Sequence, residues 1–180
     1  MPMNNILEYN PETEEWQEIG VMTEARVYHA ASVVSYKDFA DWCEYKCINE
    51  WTYFAHTKRC YRYYTTMKDW QGALNFCKSE TAKWMDANLV SIPDKTTNDF
   101  LLNTMTNTEF WTEIWTGGSI QNGQWVWSDG SEWTGWTNWS NGNPSGGSED
   151  HLEFYGQTGQ WNDGQQSYQR RILCQYDPSN

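Results

Sequence analysis

Residues 125–163 read WVWSDGSEWTGWTNWSNGNPSGGSEDHLEFYGQTGQWND, and the fold is decided there. Trp125 and Trp127 alternate onto one face of a short strand, and Asp129-Gly130 ends it with hairpin-type turn chemistry. Ser131 to Ser148 is a polar loop. Leu152 and Phe154 share one strand face. Trp161-Asn162-Asp163-Gly164 reads as a turn or strand end.

Working back toward the N-terminus, Trp111, Ile114 and Trp115 lead into Gly117-Gly118. Asp94 is placed to cap a helix with Thr97, Phe100, Leu101 and Met105 on one side. Leu89-Val90-Ser91-Ile92 is a short strand that stops at Pro93. Trp70, Ala73, Leu74 and Cys77 recur at i, i+3, i+4 and i+7, the spacing of an amphipathic helix with an inward cysteine. Trp51 to Tyr64 is aromatic and alternating, as in strands. Toward the C-terminus, Arg171-Ile172-Leu173-Cys174 closes the domain. Strands, two helices, then strands and long polar loops make an α+β domain. Asp38 to Glu44 reads as a boundary, so the expected domains are 1–40 and 45–177.

Lys and Arg number 12 against 24 Asp and Glu, for a net charge of -12. So acidic a chain is repelled by phosphate backbones and anionic lipid, which argues against nucleic acid and membrane surfaces as partners. No run of 18 apolar residues exists to span a bilayer. Met1 to Glu12 lacks the basic start and apolar block of a signal peptide.

Five cysteines occur: Cys43, Cys47, Cys60, Cys77 and Cys174. They lack zinc-site spacing, and His29, His56 and His151 are scattered. A bridge from Cys77 to Cys174 would close nearly the whole domain, worth roughly 4–5 kcal/mol in the chain-entropy model. Cys47 and Cys60 could staple the first hairpin, worth roughly 3 kcal/mol on the same model. Cys43 is either a free thiol or a competitor of Cys47 for Cys60. Persistent bridges need an oxidising compartment, so an extracellular or secreted protein is expected.

The pieces from Cys47 to Cys174 resemble the C-type lectin domain in its long form. The resemblance rests on Cys47-x3-Trp51, Cys60-Tyr61, and Trp70, Ala73 and Cys77 on the first helix, followed by Leu89-Val90-Ser91-Ile92. It continues through Trp115-Thr116-Gly117-Gly118, Trp125-x-Trp127-Ser128-Asp129-Gly130 and Trp136-x-x-Trp139. It ends with Glu149-Asp150, Gly159-x-Trp161-Asn162-Asp163 and Cys174. The resemblance implies a Cys77–Cys174 main bridge and the extra Cys47–Cys60 bridge of the long form. The family's inner bridge is absent, since His151 and Gln166 stand at its positions. That absence implies a softer loop region, at a cost of about 2–4 kcal/mol.

The resemblance also implies a calcium-dependent carbohydrate site. Calcium takes about six to eight oxygens, two of which sugar hydroxyls can supply. The implied metal residues are Asn143, Ser145, Glu149, Asn162 and Asp163, and the implied sugar contacts are Asn143, Glu149, Asn162 and Asp163. In the family the Pro144 position follows a cis bond that points both flanking side chains at the ion. Its neighbours are usually Glu or Gln before and Asn or Asp after. Asn143 keeps a carbonyl on a shorter arm, and Ser145 offers only a hydroxyl. A weakened site is therefore expected. Read singly, Asn143-Pro144-Ser145 and Asn162-Asp163-Gly164 are also ordinary turn chemistry. Trp125, Trp127, Trp136, Trp139 and Trp161 read as core rather than sugar platforms. Asn138-Trp139-Ser140 is a glycosylation sequon.

The function expected is a carbohydrate-binding module, with glycan or glycoprotein as partner and calcium as its ion. The alternative is the same fold binding a protein partner without calcium. No Gly-x-Ser-x-Gly, phosphate loop or His-Glu-x-x-His occurs, so no enzyme is expected.

Residues 5–34 resemble a single kelch repeat: Tyr9-x-Pro11-Glu12-Thr13, Trp16, Met22, then Arg26-x-x-His29-Ala30-Ala31. A lone blade cannot bury both faces, so weak packing is expected there.

Overall fold

The computed structural model describes residues 4–10, 15–22, 47–48, 50–80, 86–105 and 112–179. The chain divides into two compact units, Met1–Tyr36 and Lys37–Asn180.

In the first unit, β1 (Asn4–Asn10) pairs antiparallel with β2 (Glu15–Met22), Tyr9 opposite Trp16 and Ile6 opposite Gly20. The kelch reading is corrected here. A propeller blade is a four-stranded sheet, whereas the described part of residues 5–34 is a two-stranded ribbon. Arg26 to Val34 and Cys43 lie outside the described residues.

The second unit is the expected α+β fold. Its strands are β3 (Thr52–Phe54), β4 (Arg59–Lys68), β5 (Asn88–Leu89), β6 (Glu113–Gln121), β7 (Gln124–Trp127), β8 (His151–Tyr155), β9 (Trp161–Gly164) and β10 (Arg170–Tyr176). The order across the sheet is β3-β4-β10-β6-β8-β9, with β5 beside β10 and β7 beside β6. All pairs are antiparallel except β10 with β6, where Arg171 lies opposite Ile114 and Ile172 opposite Trp115.

Helix α1 (Trp70–Ser79) begins at Asp69, whose carboxylate accepts from Gly72 N at 2.7 Å. That bond satisfies one of the otherwise orphaned N–H groups of the first turn. Trp70, Ala73, Leu74 and Cys77 face inward, as their spacing predicts. Helix α2 (Lys95–Phe100) starts the same way, with Asp94 accepting from Thr97 N at 2.7 Å. It runs on as a π-helical turn from Leu101 to Met105.

Side chains alternate across a strand, and β10 divides the core accordingly. Ile172, Cys174 and Tyr176 pack with α1, Leu89 and Trp115. Leu173 joins the second cluster, with Ile92, Leu101, Ile114, Trp127, Phe154 and Trp161. Disulfides join Cys47 to Cys60 and Cys77 to Cys174, the latter with Cα atoms 5.4 Å apart.

A polar knot ties four segments together. Arg59 Nη1 donates to Asp129 Oδ2 and to Ser91 Oγ, both at 2.8 Å, and Gln175 Nε2 donates to Asp129 Oδ2 at 2.7 Å. Burial on its own would raise the Asp129 carboxyl. Hydrogen bonds from Ser131 and the Arg59 guanidinium outweigh burial and hold it below the ordinary aspartate range.

Two outcomes follow from this framework. Removing the Cys77–Cys174 bridge, which spans 97 residues of sequence, lowers stability by roughly 4–5 kcal/mol, measured by urea denaturation. Because the folded-state carboxyl of Asp129 lies below its unfolded value, its contribution is full above the unfolded pKa. That contribution is lost as pH falls through the folded one. Thermal melts of wild type and Asp129→Asn therefore differ near neutrality and converge as pH falls below about 4.

Candidate functional site

The site is built on the loop that ends in β8 and on β9. Helix α2 positions β9. Asn98 Nδ2 donates to Gly159 O at 3.1 Å, and Asn98 Oδ1 accepts from Trp161 Nε1 at 2.9 Å. Trp161 is fully buried, so the next two residues, Asn162 and Asp163, are held in a fixed register.

The five candidate residues come together. Ser145 N donates to Asp163 Oδ1 at 2.8 Å, and Gly146 N donates to Asp163 Oδ2 at 2.6 Å. Ser145 Oγ donates to Glu149 Oε2 at 2.6 Å. Asn143 Nδ2 donates to Ser140 Oγ at 2.7 Å and to Asn162 Oδ1. The Asn143–Pro144 peptide bond is cis.

Two further residues belong to this group and were not legible in the sequence. Glu153 Oε2 accepts from Asn162 Nδ2 at 2.9 Å, and its Oε1 accepts from Arg170 Nε at 2.7 Å. Glu153 is 1% exposed. Alternation along β8 places Glu153 opposite Leu152 and Phe154, on a face that a two-sided reading assigns to water. Here β9 and Arg170 cover that face. The space for the carboxylate comes from Gly164, where a Cβ would lie 2.3 Å from Glu153 Oε1. An alanine at 164 would force the Glu153 carboxylate to shift.

Asn143, Ser145, Glu149, Asn162 and Asp163 are the residues that would hold a calcium ion here, and in this structure their polar atoms are hydrogen-bonded within the loop. The ion requires about six to eight converging oxygens. Each Asp163 oxygen accepts one backbone N–H, Glu149 accepts from Ser145, and Asn143 turns its NH2 group onto the Asn162 oxygen. Among the described residues no group of three or more His, Cys, Asp or Glu could hold a metal ion.

Where the family's inner bridge would lie, His151 is buried beneath Trp70, with ring centroids 4.5 Å apart, and its Nδ1 bonds Asp150 Oδ1 at 2.6 Å. Gln166 O accepts from Trp70 N at 3.0 Å. Ring packing and hydrogen bonds thus stand where a covalent bridge would. Trp127 and Trp161 are core residues, whereas Trp125, Trp136 and Trp139 are only partly buried. Trp133, another residue the sequence reading missed, stacks between Trp125 and Trp127. The Asn138 amide of the sequon is engaged, donating to Gly159 O at 2.7 Å.

A loop-bearing mixed sheet with two flanking helices and this pair of bridges defines a lectin-like binding module. The model of the Lectin C-type domain matches residues 66–176, more than half of the chain, and the chain belongs to that family. Its members are non-catalytic carbohydrate-binding modules, and the two disulfides suit an extracellular setting. The C-type lectin lectoxin-Lio3 of Erythrolamprus poecilogyrus is 33% identical over 87 residues, 47% of this chain. The match spans 51% of that relative, about half its length. The C-type lectin CEL-I of Cucumaria echinata is 25% identical with a TM-score of 0.66, covering 73% of this chain and 97% of that one. A calcium-independent type II antifreeze protein shares the fold at 20% identity and a TM-score of 0.61, covering 72% and 93%. The family match begins at residue 66 and the similar structures are lectin-type domains, which also withdraws the kelch assignment of residues 5–34.

Arg170→Met strands a buried carboxylate, so it costs about 3–5 kcal/mol in chemical denaturation. Combining it with Glu153→Gln recovers part of that loss, because the uncompensated charge is gone.

Proposed function

We propose that this domain is a lectin-like module that engages a protein partner, glycosylated or not, without calcium. One observation carries the reading: each carboxylate oxygen of Asp163 already holds a backbone N–H, from Ser145 and from Gly146. An ion at Asp163 would have to use the second lone pair of each oxygen, in competition with these two charge-assisted hydrogen bonds. The departures from the family pattern act in the same direction. Asn143 supplies its donor side to Asn162, and Ser145 spends its hydroxyl on Glu149. The fold itself does not demand the ion, since it is shared with a protein described as calcium-independent.

The second reading is a calcium-dependent carbohydrate site. In its favour, Asn143, Ser145, Glu149, Asn162 and Asp163 converge in one hydrogen-bonded group. In that case Asn143, Glu149, Asn162 and Asp163 would contact sugar hydroxyls once the network opened around the ion.

Differential scanning calorimetry separates the two. The melting temperature is expected to be the same in excess calcium and in EDTA, and retention of a partner is expected to be unaffected by chelation. A calcium-induced rise in melting temperature that disappears in Asp163→Asn would establish the second reading instead.

A further inference from the structure

Between Lys95 and Arg170 the chain contains no lysine or arginine, yet it contains nine Asp and Glu residues. This stretch carries the whole long loop and the candidate site. Two arginines from outside it reach inward, and both are committed: Arg59 to Asp129 and Arg170 to Glu153. Among the described residues, the remaining acidic side chains of the loop have no Lys or Arg ion pair. Glu132 is exposed, and Glu149 accepts from the Ser145 hydroxyl.

The same loop holds a continuous array of indoles. Trp133 stacks on Trp127 at 4.6 Å and on Trp125 at 5.9 Å; Trp125 leans on Trp139 at 5.0 Å; Trp139 and Trp136 pack edge-on against Trp161 at 5.6 and 5.2 Å. Trp125, Trp133, Trp136 and Trp139 each keep part of their surface in solvent. Among the described residues, the cations that lie over rings do so at Tyr64, Phe76 and Tyr168, on other parts of the domain. The loop's sequence therefore combines partly exposed indoles with the exposed Glu132 next to Trp133 in the chain, and it has no lysine or arginine of its own.

Electron-rich indole faces attract guanidinium and ammonium groups, and Arg, being planar and weakly hydrated, stacks on them best. Neighbouring carboxylates add charge attraction, which also speeds encounter. An anionic partner would be repelled. The geometry points to the Trp125–Trp133–Trp139 face with Glu132 as a docking surface for an arginine-rich segment of a protein partner. This deepens the reading of a calcium-independent, protein-binding module and rests on it.

The test uses the full chain, with nona-arginine as probe and nona-citrulline, its uncharged analogue, beside it. Titration calorimetry is run in calcium and in EDTA, at low and high salt. Nona-arginine is expected to bind, equally in calcium and EDTA, and more weakly as salt rises. Trp133→Ala and Glu132→Lys are each expected to weaken binding roughly tenfold, since an indole anchor and the carboxylate adjacent to it in the chain would carry such contacts. Glu50→Gln, which alters an exposed carboxylate far along the chain, should leave binding unchanged. If Trp133→Ala fails to fold, Glu132→Lys, at an exposed position, decides the matter. Equal binding by Glu132→Lys and Glu50→Gln would show attraction to net charge alone and overturn the proposal, as would absent binding or equal binding of nona-citrulline. A neutral chitin oligosaccharide that binds while nona-arginine does not would assign the face to glycan instead. A melting temperature raised by calcium would overturn the ion-free reading on its own, whatever the peptides do.

Discussion

β10 is the constraint on which the rest of the molecule hangs. On one side it pairs with β4, and on the other with β5 and β6. Its Cys174 is bonded to Cys77 on α1. A strand hydrogen-bonded on both edges and covalently tied to the helix above it cannot shift register without turning Ile172 and Leu173 onto each other's faces. The two hydrophobic clusters are therefore defined by the alternation of this single strand. The loop region is held against them by Trp161, whose indole is fixed from α2 by Asn98.

The acidic side chains at the site are satisfied from within. Asp163 fastens the loop through two backbone N–H groups, and Glu153 accepts from Arg170 and Asn162. Such a network fixes the loop's shape, and any ion would share these oxygens with it. Preorganisation and ion capture draw on the same oxygens, and here each Asp163 oxygen gives one lone pair to the first.

Much of the fold was legible because its signals are local. The i, i+3, i+4, i+7 spacing of Trp70, Ala73, Leu74 and Cys77 specifies a helix face, and Asp69 and Asp94 cap their helices through their own side chains. The convergence of Asn143, Ser145, Glu149, Asn162 and Asp163 was readable only through resemblance, since nothing local ties residue 143 to residue 162. Glu153 and Arg170 escaped because strand alternation predicts a solvent-facing polar side chain, and only the tertiary path of β9 buries it. Trp133 escaped because the loop around it has no periodicity. The kelch assignment failed for a related reason: residue order over some thirty positions carries little weight without a second copy to supply the packing that a blade requires.

Asn138 governs the order of events in any cell that could modify this chain. A transferase acting on Asn138-Trp139-Ser140 needs the carboxamide nitrogen, which in the finished domain is donated to Gly159 O. A glycan on that nitrogen leaves it a single N–H, so the bond to Gly159 survives only if the remaining hydrogen keeps the same direction. A chain that folds before the transferase arrives presents this nitrogen already engaged, so glycan occupancy would depend on which comes first.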